Sequence, residues 1–202
     1  GKDPEMRSGM DFGFSEEQLI LRDSVRDFIH NEVPQSYIRE CEAAKRPPLE
    51  AFDKMGKMGW LGAAIPEEYG GAGLPLTAGA AILEEIQRSG ANGAACHAQM
   101  YTMGVLLRHG SDELKQRYLP QVASGELRLQ AFGVTEPTSG SETLALRTTA
   151  VRDGDDYVVN GQKIWTSRAQ HADWMFCLVR TDGGAKLQRG ISYLLIDMKT
   201  PG

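Results

Sequence analysis

Leu127-Arg128-Leu129-Gln130-Ala131-Phe132-Gly133-Val134-Thr135-Glu136-Pro137 is the stretch at which the hydrophobic period changes. Leu127 to Phe132 alternates apolar and polar residues, as a half-buried strand does. Upstream, most of the chain repeats at helical spacing. Everything downstream reads as short strands separated by turns. The chain therefore divides into a helical part and a β part.

Upstream, Ser15-Glu16-Glu17-Gln18 has the form of a capping box, in which serine and glutamine satisfy each other's backbone N–H groups. Leu19, Leu21, Val25, Phe28, Ile29 and Val33 follow at near-helical spacing, and Pro34 ends or bends the helix. Further helices are expected from Tyr37 to Ala44, from Leu49 to about Met58, from Leu76 to Ser89, from Asn92 to His109 and from Glu113 to Ala123. Pro47-Pro48, Gly59, Gly90 and Gly110 separate them. Trp60 to Pro66 reads as apolar and extended. Glu67 to Gly73 holds three glycines in four residues, and either a plain turn or a phosphate cradle fits it, although no GxGxxG or GxxxxGK[ST] pattern is present. Met100 and Met103 fit core packing or the wall of an apolar tunnel.

Downstream, strands are expected at Leu146 to Val151, Tyr157 to Val159, Lys163 to Ser167, Asp173 to Arg180 and Ile191 to Asp197. Asn160-Gly161 reads as a two-residue type I′ hairpin turn, since both central residues of that turn need positive φ. Strand alternation would place Lys163, Trp165 and Ser167 on one face. An indole there can stack on a flat ligand, with a hydroxyl at the ligand's edge and small donors from the Glu136 to Ser141 loop. Trp165 as an ordinary core residue is the competing reading.

Composition limits the function. The chain has 202 residues, 41% of them hydrophobic, and a net charge of −5. That acidity argues against general nucleic-acid binding. No apolar run reaches the roughly 20 residues of a membrane helix, and no signal peptide is visible. The expected location is cytoplasmic. Cys41, Cys96 and Cys177 are scattered and read as reduced thiols, with Cys96 and Cys177 in the core. The four histidines, His30, His97, His109 and His171, form no HExxH pair, so no metal site is expected. Gly1 to Gly9 reads as a cloning remnant, with Met10 as the natural start.

The whole run from Met10 to Gly202 resembles the acyl-CoA dehydrogenase family. The points of resemblance are Phe14-Ser15-Glu16-Glu17-Gln18, Ile65 to Gly71, His109-Gly110-Ser111 with Lys115 to Pro120, Phe132 to Glu142, and Asn160 to Trp165. Five such matches in order are far more specific than any one. The resemblance implies an α+β protein, with an all-helical N-terminal bundle over residues 10–125 followed by an incomplete antiparallel, barrel-like β domain over residues 126–202. It implies FAD as cofactor, held by Phe132, Val134, Thr135, Trp165, Thr166 and Ser167. Thr135 would bond the pyrimidine edge, Trp165 would flank the ring, and Ser167 would lie near N5. Ser141 would contact the pantetheine arm of an acyl-CoA, and the helix from Asn92 to His109 would contribute to the acyl-tail pocket.

The implied reaction is α,β-desaturation, in which a carboxylate removes the α-proton and a hydride passes to FAD. The family's glutamate base lies in a C-terminal domain that matches nothing here, so no catalytic residue is assigned and the chain alone is expected to be inactive. Expected partners are an acyl-CoA, an electron-transfer flavoprotein or similar acceptor, and further copies of the full-length protein in a homodimer or homotetramer. Glu142 stands where many members have Asp, Ser167 where many have Thr, and Arg168-Ala169 where Asn-Gly is common. An acyl-CoA oxidase or flavin monooxygenase on the same scaffold, and a non-catalytic interaction module, are the alternatives.

Overall fold

The computed structural model describes residues 13–202. The expected remnant at Gly1 to Gly9 and the start at Met10 lie outside the described residues. Six helices come first: α1 (Glu16–Glu32), α2 (Gln35–Ala43), α3 (Leu49–Lys57), α4 (Leu76–Arg88), α5 (Ala94–His109) and α6 (Asp112–Ser124). Five strands follow: β1 (Leu129–Gly133), β2 (Thr149–Asp153), β3 (Asp156–Asn160), β4 (Trp174–Arg180) and β5 (Ile191–Asp197). The protein is α+β, with helices followed by a sheet.

Local chemistry starts and stops the helices largely where the sequence indicates. The Gln18 amide donates to Ser15 Oγ at 3.2 Å, and the Ser15 amide donates to Gln18 Oε1 at 3.1 Å, completing the capping box of α1. Pro34 follows its end. Ser111 caps α6 by accepting from the Leu114 amide. Asn92 lies one residue upstream of the α5 cap and accepts from the Ala94 amide.

The first core joins α1, α3 and α4 through Val25, Ile29, Phe52, Met55, Ile82 and Ile86. Beside it lies a buried ion cluster. Glu85 of α4, with its side chain 2% exposed, accepts from Arg22 Nε at 2.8 Å and from Arg26 at 3.2 Å. Burial alone would raise the Glu85 pKa. The bonds to Arg22 and Arg26 prevail and lower it. Arg22 also lies 4.3 Å over the Phe14 ring. A second core joins α5 and α6 to the sheet through Met103, Leu106, Leu119, Val122 and Leu129. Met103 is core, and Met100 packs against it.

Two fully buried polar side chains of α5 hold the sheet in place. Gln99 Nε2 donates to the Val122 carbonyl at 3.0 Å and the Leu127 carbonyl at 2.8 Å. Thr102 Oγ1 donates to the Leu129 carbonyl.

Several sequence expectations are corrected. The sheet is mixed and open, not antiparallel and barrel-like. β5 pairs antiparallel along the whole of β4, from Trp174↔Asp197 to Arg180↔Ile191. On the other side of β4, β1 runs parallel to it and β2 meets it in parallel at Thr149↔Arg180. The segment over residues 134–173 is a long crossover that carries the β2–β3 hairpin aside and returns the chain beside β1 in the same direction. Parallel neighbours need such a crossover, and residue alternation does not report strand direction.

Asn160-Gly161 is not the hairpin turn. The hairpin closes at Gly154 (φ 63°), and Asn160 ends β3. Gly161 is required for close approach instead, since a Cβ there would lie 2.6 Å from Thr148 Cβ. Lys163 to Ser167 is not a strand, because Trp165 has φ 58° and breaks the extended path. Residues 61–65 are successive turns rather than extended chain.

The glycine-rich loop is the plain turn. The amides of Gly70, Gly71, Ala72 and Gly73 all donate to carbonyls of residues 62–67, which leaves none of these four for a phosphate. A Cβ at Gly71 would collide with the Ile65 carbonyl, so only glycine fits.

The ion cluster yields a stability prediction. Removing one member of a buried pair typically costs ~3–5 kcal/mol. Arg22→Met is expected to lower the unfolding free energy by about that much in urea titration. Arg26→Met, at an exposed position, is expected to cost far less. Equal effects would show that burial does not set the strength of the cluster.

Candidate functional site

The two stretches that suggested a flat-ligand site are joined by a backbone bond and by the Lys163 side chain. The Ile164 amide donates to the Thr135 carbonyl at 2.9 Å. Beside it, Lys163 Nζ donates to the Val134 carbonyl at 3.2 Å and to Glu136 Oε1 at 2.8 Å. Glu136 also accepts from the Arg147 amide at 2.6 Å and the Thr148 amide at 2.9 Å. The ion pair is buried, with side chains 8% exposed for Lys163 and 4% for Glu136. Burial pushes the Glu136 carboxyl up, but the Lys163 ammonium and the two amides outweigh it and hold the group at about 2.

Glu136 also starts a tight loop. Its amide and carbonyl exchange bonds with those of Ser139, and Ser139 Oγ donates to the Glu142 carbonyl. The loop thereby turns Thr138, Gly140 and Ser141 outward to solvent.

Phe132 lies at the surface of β1, in edge contact with Tyr101 (5.4 Å between centroids) and Phe176 (4.5 Å). Phe176 in turn stacks on Tyr193 at 4.7 Å. Val134, Thr135 and Thr166 are half-buried, and Ser167 is exposed. Trp165 is 83% exposed. The core reading of Trp165 is therefore excluded. So is the single shared face: Lys163 points inward while Trp165 points to solvent, because the left-handed residue breaks the alternation. Together these residues form an open surface with an exposed indole and nearby hydroxyls. That donor set suits a flat heteroaromatic ring with polar edges.

The roomier cavities lie elsewhere. One, of about 350 Å³, sits between the end of α5, the start of α6 and β5, lined by Val105, His109, Leu114 and Tyr193. Another, of about 310 Å³, is bounded by α2, the α2–α3 loop and the turn after Arg168. None of Phe132, Trp165 or Ser141 lines either. All three cysteines are free and buried, and burial pushes the Cys96 thiol up to about 12. Among the described residues no three His, Cys, Asp or Glu side chains converge as metal ligands, and no helix is long and apolar enough to cross a membrane.

Sequence reading missed the Lys163–Glu136 pair, the docking residues Gln99 and Thr102, and the half-buried contact of Arg168 Nε with Gln130 Oε1 at 3.1 Å. Only the pair had a trace in the sequence, a lysine beside two apolar residues and a glutamate ahead of Pro137. Charge complementarity over that separation carries no periodic signal.

Residues 15–126 match the model for the acyl-CoA dehydrogenase N-terminal domain, and residues 131–202 match that for the middle domain. The chain belongs to the acyl-CoA dehydrogenase family. It is 38% identical over 189 residues to acyl-CoA dehydrogenase FadE29 of Mycobacterium tuberculosis, covering 92% of this chain and 48% of the relative. An acyl-CoA dehydrogenase structure from Geobacillus kaustophilus superposes with a TM-score of 0.87 at 34% identity, covering 94% of this chain and 50% of that one. The structure of the prolyl acyl carrier protein oxidase AnaB superposes with a TM-score of 0.83 at 26% identity, covering 94% and 50%. The chain thus spans about half the length of the relatives it matches.

The Glu136 site makes stability depend on pH. Its folded pKa, about 2, is depressed from an ordinary 4.5. Its contribution is therefore present above about 4.5 and is lost as pH falls toward 2. Urea unfolding from pH 6 to pH 2 is expected to show a larger acid loss in the parent than in Glu136→Gln. Parallel curves would contradict the assignment.

Proposed function

We propose that this chain forms the flavin-facing wall of an FAD-dependent acyl-CoA dehydrogenase that desaturates an acyl-CoA thioester between its α and β carbons. It would do so with a helical domain over residues 10–125 and a β domain over residues 126–202. The observation that carries this reading is the exposed Trp165 indole, held beside Thr135 through the Ile164 amide. Solvent-exposed tryptophan with no ring partner among the described residues is costly apolar surface, and a stacked flavin would cover it. Trp165 would flank the ring. Thr135, Thr166 and Ser167 would offer hydroxyls at its edges, and Phe132 and Val134 would supply apolar contact. Bound there, FAD would supply the hydride acceptor, while the protein orients it. Ser141, exposed on the Glu136 loop, would meet the pantetheine arm.

Glu136 would not serve as the base. A general base needs a pKa near the working pH and a free lone pair. Glu136 is poorly suited to that role, being buried, held at about 2 and engaged by Lys163 and two amides. The base would come from residues outside this chain, so the chain alone would not turn over acyl-CoA. An electron-transfer flavoprotein or similar acceptor, assembly of the complete protein as a homodimer or homotetramer, and a cytoplasmic location belong to the same reading. An oxidase on this scaffold is the second reading, favoured by the likeness to AnaB. Dye reduction against peroxide formation in the complete protein separates the two.

Titrating the chain with FAD while following tryptophan fluorescence tests the flavin wall. Weak, saturable quenching is expected, with no turnover of acyl-CoA. Base stacking on an aromatic side chain is worth ~1–3 kcal/mol, so Trp165→Ala is expected to weaken binding by about fivefold or more. Affinity unchanged by that substitution, or tight binding with turnover, would sink the proposal.

A further inference from the structure

The cavity of about 310 Å³ beside Arg168 has features that the flavin reading does not use. Its floor is apolar, formed by Val33, Ile38 and Met55. Its rim carries Lys45, Arg46 and Arg168 against one carboxylate, Glu42. Arg46 is already paired with Glu40 and Glu50. Lys45 and Arg168 have no acidic partner among the described residues. Arg168 is half-buried, and among the described residues the sole hydrogen bond of its side chain is from Nε to Gln130, so its remaining guanidinium N–H donors have no partner there. Burial pushes the Arg168 pKa down, and the charge of Arg128 lowers it further. A guanidinium desolvated without a counter-charge is costly.

The backbone shows the same pattern. Lys45 (φ 50°) and Arg168 (φ 67°) both lie in the left-handed region, which side-chain-bearing residues seldom adopt. The chain has four such residues among those described, and two of them are the unpaired cations at this one cavity. Strain of this kind costs on the order of 1–3 kcal/mol per residue and clusters at ligand sites. The two cations come from distant parts of the sequence, the α2–α3 loop and the turn that follows Ser167.

We infer that this cavity is a binding site for a small organic anion, with a carboxylate or phosphate head at Lys45 and Arg168 and a short apolar body against Val33, Ile38 and Met55. An arginine fork matches either head group, and a second cation in the same lining adds to its attraction. The volume lies at the lower end of the roughly 300–1,000 Å³ of ligand pockets, which limits the apolar body to a few carbons. The site shares no residue with the proposed flavin wall and requires no flavin.

Isothermal titration of the chain, without FAD, with hexanoate, hexyl phosphate, inorganic phosphate and hexanol tests the inference. Saturable binding of hexanoate or hexyl phosphate is expected. Arg168→Gln is expected to weaken it at least tenfold, and Lys45→Gln to weaken it less. The relative strength of the two charged probes assigns the head group. Hexanol binding as tightly as hexanoate would overturn the inference, because the cations would then contribute nothing. Inorganic phosphate binding as tightly as hexyl phosphate would overturn it for the apolar floor. Failure of both charged amphiphiles to saturate at millimolar concentration would also overturn it. Circular dichroism checks the variants, and Lys45→Gln, in an exposed loop, supplies the test if Arg168→Gln does not fold. Since no flavin is present, the result is independent of the flavin proposal.

Discussion

A carboxylate buried at 4% exposure must find donors or stay protonated, and Glu136 finds them in three places. The Lys163 ammonium, the Arg147 amide and the Thr148 amide belong to segments that no strand ladder connects at that point. Satisfying one side chain therefore fixes the end of β1, the entry to β2 and the irregular segment after β3 relative to one another. Much of what surrounds the proposed flavin wall follows from this constraint. The Val134 carbonyl is bound by Lys163, and the Thr135 carbonyl by Ile164, so the backbone carrying the proposed ring contacts is locked. Trp165 follows immediately, with its left-handed backbone turning the indole outward.

The helices have a supporting part. Gln99 and Thr102 project from α5 with no exposure and take up the carbonyls of Val122, Leu127 and Leu129. Buried amides and hydroxyls are costly unless bonded, so these contacts set the helix in one position against the first strand. Tyr193 of β5, beyond β4 from β1, reaches the Thr102 carbonyl of the same helix. The aromatic run from Tyr101 through Phe132 and the buried Phe176 to Tyr193 lies across this junction and joins helix, first strand and last strand.

Much of the fold was legible because its signals are local. Ser15 and Gln18 at the start of the first helix, Pro34 after Val33, and Gly90 at φ 82° act within a turn of where they stand. The strands over Trp174–Arg180 and Ile191–Asp197 were visible for the same reason. Strand direction was not, because β1 and β4 carry the same alternation whether parallel or antiparallel, and only the path of residues 134–173 decides. The proposed site was legible only in its residue types. The residue types at Phe132, Thr135, Trp165 and Ser167 were readable. Their arrangement was not, since Trp165 adopts a backbone angle rare for its type and Lys163 turns inward. The Asn160-Gly161 pair misled because its glycine serves the close approach of Thr148 rather than a tight turn.

The central claim is that the buried Lys163–Glu136 pair, rather than sheet pairing, holds the two signature segments together. Amide hydrogen exchange at Ile164, compared between the parent chain and Lys163→Met, tests it most directly. The Ile164 amide should be protected in the parent and should exchange roughly tenfold faster or more in the variant, while the Cys177 amide in the middle of β4 stays unchanged. Equal protection of Ile164 in both proteins would contradict the account, as would uniform loss of protection across the sheet.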